Sequence, residues 1–158
     1  MNRAPWIIAG SIVLAALIVA VAIVSVNKQN APAQPDSIAR EIVAGAQALA
    51  QDREAESVLR NALVAAKTYF TDGNTYSGWD PAVAAQIEPS PVWAVDTPAS
   101  VGAVSINLAT GNELVMTTLS ASGQPFCIGD DAATMDGVAY GKVDAYGATS
   151  VSDCSGGW

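Results

Sequence analysis

Between Trp6 and Val26 the chain reads WIIAGSIVLAALIVAVAIVSV, without one charged residue. Coiled as a helix at about 1.5 Å per residue, the run reaches roughly 31 Å, the thickness of a bilayer's hydrocarbon core. Arg3 precedes it and Lys28 follows it. A cleaved signal peptide is the competing reading, with Ala31-Pro32-Ala33 as a small-residue cleavage site. The run is longer than the about 7–15 apolar residues of a signal h-region, which favours an uncleaved transmembrane anchor over residues 1–28, with residues 6–26 in the membrane.

Flanking charge says little about orientation, because Arg3 and the amino terminus oppose Lys28 and Arg40. The rest of the chain says more. Beyond Lys28 there are 5 basic residues against all 15 acidic ones, a balance of −10. An anionic inner leaflet repels such a segment, and pairing of Cys127 with Cys154 requires an oxidising compartment. Both place the N-terminus in the cytoplasm and the remainder outside, as a single-pass protein of the cell membrane. The same charge opposes nucleic-acid binding. Histidine is absent, which removes the commonest general base and metal ligand.

Residues 29–35 form a linker in which Pro32 and Pro35 interrupt a continuous helix. A helix is expected over 36–72, capped by Asp36 or Ser37. Ile38, Ile42 and Leu49 mark one apolar stripe, and Gln51 to Glu56 is polar all round, as in a solvated stalk. Then Leu59, Leu63, Ala66 and Phe70 fall along one line and Val58, Ala62, Ala65 and Tyr69 along the next, a wide stripe that needs a surface to pack on. Asp72-Gly73-Asn74 should end the helix, with Gly73 as the left-handed cap. From Pro91 the period becomes strand-like. Strands are expected at 92–95, 104–108, 113–119, from Phe126, and over 138–145, making residues 73–158 a small antiparallel sheet under the end of the helix. The fold class is α+β.

Cys127 and Cys154 enclose 26 residues. A bond between them stabilises by roughly 3–4 kcal/mol in the loop-entropy account. A catalytic thiol is the rival, weakened by the missing histidine and by the lack of a Cys-x-x-Cys motif. Gly129-Asp130-Asp131 with Asp136, or Asp72 with Asn74, offer oxygen atoms to calcium without a complete loop pattern, so solvated turns are favoured and no metal or other cofactor is expected. Trp79, Trp93 and Trp158, with Tyr69, Tyr76, Tyr140 and Tyr146, either cap the small core, which is favoured, or form an exposed binding surface. No nucleophile–base pair or phosphate loop emerges, which argues against an enzyme.

The stretch ESVLRNALVAAKTYFTDGNTYSGW, followed by strands, then Phe126-Cys127-Ile128, Tyr140-Gly141 and the closing Asp153-Cys154-Ser155-Gly156-Gly157-Trp158, resembles type IV pilins and pseudopilins of the actinobacterial kind. The resemblance covers roughly 56–158. It implies a pilin-like ectodomain with a C-terminal disulfide loop and protein partners among pilus or secretion-machine subunits. The front end departs from it. Prepilins carry a cleaved glycine followed by Phe-Thr-Leu-Ile-Glu; here Gly10 is followed by Ser11-Ile12-Val13-Leu14-Ala15. The missing glutamate removes the buried charge pair that sets filament register. The expectation is therefore a non-enzymatic accessory subunit. Two alternatives stay open: a free-standing binding module (an adhesin or ligand-sensing ectodomain) using the loop between the cysteines, and a divergent pilin cut after Gly10.

Overall fold

The computed structural model describes residues 35–95, 100–143 and 148–158. The expected anchor (1–28) and nearly all of the linker (29–35) lie outside them. Among the described residues no helix is long and apolar enough to cross a membrane. The chain divides into two compact units, Met1–Val43 and Ala44–Trp158.

Helix α1 spans Pro35–Gly73, with Asp36 in its first turn, where a negative charge meets the positive end of the helix dipole. It runs unbroken through Gln51 to Glu56. That stretch is less solvated than its composition suggests: Ala55 is buried, and the Asp52 carboxylate accepts a hydrogen bond from the Ser122 hydroxyl. The expected cap at Gly73 is corrected by one residue. The helix includes Gly73, and Asn74 takes the left-handed conformation at φ 53° while its N–H donates to the Phe70 carbonyl at 2.6 Å. Asparagine tolerates that region almost as glycine does.

A short helix not anticipated from the sequence, α2 (Pro81–Ile87), follows. Its signal was present. Asp80 is the N-cap, its carboxylate accepting from the Ala82 and Val83 N–H groups at 2.8 and 2.9 Å, and Pro81 opens the first turn.

Five strands follow: β1 (Val92–Val95), β2 (Ala103–Ala109), β3 (Glu113–Leu119), β4 (Pro125–Asp131) and β5 (Val138–Lys142). They lie in the sheet in chain order. The sheet is mixed, which corrects the all-antiparallel expectation: β1 pairs with β2 in parallel, Val92 beside Ala103 and Val95 beside Ile106. An antiparallel neighbour could follow through a tight hairpin, whereas here β2 starts beside the start of β1. The other pairs are antiparallel. Register slips by one residue at Asn107 in β2, whose side-chain carbonyl accepts from the Thr117 hydroxyl at 2.8 Å.

Both sheet faces are covered. On one, Leu59, Ala62, Leu63 and Ala66 of α1 meet Val104, Ile106, Leu114, Met116, Phe126 and Ile128. Each large side chain enclosed there contributes about 1.5–3 kcal/mol of apolar burial. On the other, Val115 and Cys127 pack with Ala148 and Cys154. The expected line Leu59, Leu63, Ala66 and Phe70 is thus the helix–sheet seam: the first three are buried and Phe70 is partly buried.

Candidate functional site

The C-terminal segment is bound to the outer sheet face by covalent and close-packed contacts. Cys127 on β4 is joined to Cys154, their Cα atoms 5.4 Å apart. Gly129 and Gly141 make room for it. A Cβ on Gly129 would lie 3.1 Å from Val151, and one on Gly141 would collide with the Ser155 carbonyl. The Gly157 N–H donates to the Tyr140 carbonyl at 2.9 Å, and the Trp158 indole N–H donates to Gly141 at 3.1 Å. Asp153 caps this segment, accepting from the Thr149 and Ser150 N–H groups at 2.9 Å each. These bonds, the Thr149 one foremost, hold its carboxyl below the usual carboxylate range.

Most of the aromatic residues belong to the core or pack against it, as the favoured reading has it. Trp79 and Tyr76 are buried. Tyr69, Trp79 and Trp93 form a chain with ring centroids 5.5 and 5.7 Å apart. Trp158 stands edge-on to Phe126 at 6.2 Å and tilted on Tyr140 at 5.1 Å. Tyr140 is exposed; Tyr146 lies outside the described residues.

A polar cluster missed in the sequence sits between α1 and β4. Asp130 shares its strand parity with Phe126 and Ile128, so its side chain faces the helix. It is buried, with one carboxylate oxygen 3.0 Å from the Lys67 ammonium and the other accepting from the Tyr76 hydroxyl at 2.5 Å. Burial first, and the neighbouring carboxylate second, push the Tyr76 phenol well above its ordinary range. Tyr76 therefore stays a donor, and the trio is a clamp between helix and sheet. Period-two counting along β4 carried the signal for Asp130.

Beside the clamp lies an open cleft of about 510 Å³ lined by Lys67, Thr71, Tyr140 and the loop 131–137. Asp131 turns its carboxylate onto the Ala133 N–H at 3.0 Å, and Met135 stands fully exposed at the tip. Both oxygens of Asp130 are already engaged. Among the described residues no group of three or more His, Cys, Asp or Glu side chains could hold a metal ion. A second groove, of about 440 Å³, runs along α1 past Asp52, Arg53, Glu56 and Arg60 to Lys142 and Trp158.

Comparison with protein-family models, with curated proteins and with solved structures finds no match for this chain. The class defined by its geometry is an α+β module: a long helix packed on a five-stranded mixed sheet, with a disulfide-bonded C-terminal segment over the opposite face.

Proposed function

We propose that the chain is a non-enzymatic, membrane-anchored module exposed outside the cytoplasm, pilin-like in its ectodomain. It acts as an accessory subunit that docks onto pilus or secretion-machine proteins. The observation that carries the reading is the unequal use of α1. From Ala55 to Phe70 its apolar residues other than Val64 pack in or against the core, whereas Ile38, Ile42, Val43 and Leu49, also apolar, stand exposed. Exposed large aliphatic side chains recurring on one helix are available to a partner. The disulfide supports the compartment, since such bonds persist where the surroundings oxidise. The apolar run 6–26 supports the anchor, and the lack of the prepilin glutamate supports heteromeric contact over self-polymerisation.

The test is mild crosslinking of the full-length chain in the membranes of the cells that make it, followed by mass spectrometry of bait and captured proteins. Recovery of pilus or secretion-system components, with Met1 to Lys28 still attached, is the expected result. Bait alone would move the reading to a free-standing surface module. A mature N-terminus at Ser11 would overturn the uncleaved anchor.

A further inference from the structure

Beyond Lys28 the chain has 5 cations for 15 carboxylates, and Arg53, Arg60 and Lys142 all open on the 440 Å³ groove. In so acidic a segment, cations serve solubility best when interspersed with the acids. The groove sets three cations beside two carboxylates, Asp52 and Glu56, against 5 and 15 for the chain beyond Lys28, and its cations are weakly paired. Arg60 spreads over the Trp158 ring, 4.9 Å from its centroid, and reaches Glu56 only at 3.8 Å with its side chain 63% exposed, a weak pair. The Lys142 ammonium lies 5.6 Å over the Phe126 ring. Asp52, the other acid in the groove, is engaged by Ser122. Among the described residues neither Arg53 nor Lys142 has a carboxylate at ion-pair distance.

We propose that this groove docks a short acidic segment of a partner protein, with its carboxylates on Arg53 and Lys142 and its apolar side chains against Trp158 and Leu49. The inference rests on the interaction-module reading and names the partner's chemistry. Charge decides the partner's extent. Outside the groove, the chain beyond Lys28 has 2 cations against 13 carboxylates. That excess of carboxylates repels an extended polyanion such as a nucleic-acid duplex or an anionic membrane. A short segment engages the groove alone. Arginine and tryptophan, both in its lining, are residue types enriched where proteins meet.

The probe is a biotinylated tetraglutamate peptide mixed with the full-length chain and a water-soluble carbodiimide, which joins carboxylate to amine directly. Mass spectrometry maps the adducts. Coupling should concentrate on Lys142 over Lys67 and Lys28, fall in high salt, and drop about tenfold in Arg53→Glu. Arg53 is exposed, so that variant should melt with the parent. Equal coupling at the three lysines, or an unchanged yield in Arg53→Glu, overturns the proposal. So does coupling of Lys142 to a second copy's carboxylate that the peptide fails to displace. Peptide coupling reads the groove whatever the chain's partners are, whereas crosslinking in membranes reads the assembly, so failure of either one is assigned to that one alone.

Discussion

Replacing Lys67 with methionine keeps the aliphatic stem and removes the charge that faces Asp130. In a fully enclosed pair, loss of one partner costs about 3–5 kcal/mol, because the other charge stays buried and unmet. This pair is enclosed on one side only: the Asp130 side chain is 3% exposed, the Lys67 side chain 48%. Water can approach where the ammonium was, and the Tyr76 hydroxyl still donates to Asp130. Both reduce the cost, to about 2 kcal/mol. In a domain of this size that lowers the melting temperature by about 8 °C, read by circular dichroism of the full-length chain. Asp130→Asn supplies the control, since it removes the charge and keeps an acceptor for Tyr76. In the Lys67→Met background it should cost less than in the parent, with a coupling of at least about 1 kcal/mol. A Lys67→Met melt that matches the parent, or an Asp130→Asn cost that is the same in both backgrounds, would refute the clamp.

Leu63→Asp should unfold the sheet-bearing unit, because it sets an unpartnered carboxylate at the buried helix–sheet seam; a retained cooperative melt would contradict that packing. Replacing Cys127 and Cys154 with serine should cost about 3–4 kcal/mol and leave the sheet's far-ultraviolet signal in place; an unaltered melting temperature would show that the bond does not constrain the unfolded chain. Asp153 carries a pH prediction. Its folded carboxyl is held below its unfolded value, so its contribution is present above about pH 4 and lost as pH falls through the folded value. The acid-side fall in melting temperature should therefore be shallower in Asp153→Asn, and superimposable profiles would exclude the cap.

What the sequence disclosed and what it withheld divide along the range of the forces involved. The seam residues Leu59, Leu63 and Ala66 are legible because a 3.6-residue period is local. So is the pairing of the only two cysteines. The parallel placement of β1 is not legible, because Val92 to Val95 carries the same pattern in either direction and a four-residue run does not name its partner. The choice of Asn74 over Gly73 is equally hidden: both residues permit a left-handed turn, and the Phe70 carbonyl decides. The second packed face escaped notice because its members on β3 and β4, Val115, Cys127 and Gly129, include no long apolar side chain, and what covers them arrives only at the end of the chain.

Asp130 lies between these cases, and it explains why the helix sits in one register. Its parity with Phe126 and Ile128 turns a carboxylate towards α1, so the sequence shows that a partner is required without naming it. An apolar seam alone tolerates sliding, because alanines and leucines one turn apart offer similar surfaces. A one-turn slip of α1 would bring Leu63 or Thr71 to the place of Lys67 and leave the buried carboxylate without a cation. That penalty is of the size that fixes register in helical assemblies, where one buried polar contact selects among otherwise similar packings. With Lys67 held on Asp130, Leu63 and Leu59 are placed one and two turns earlier along the sheet, among Met116, Phe126 and Ile128. The clamp thus selects which of several near-equivalent apolar packings is the folded one, and the apolar contacts supply most of its stability.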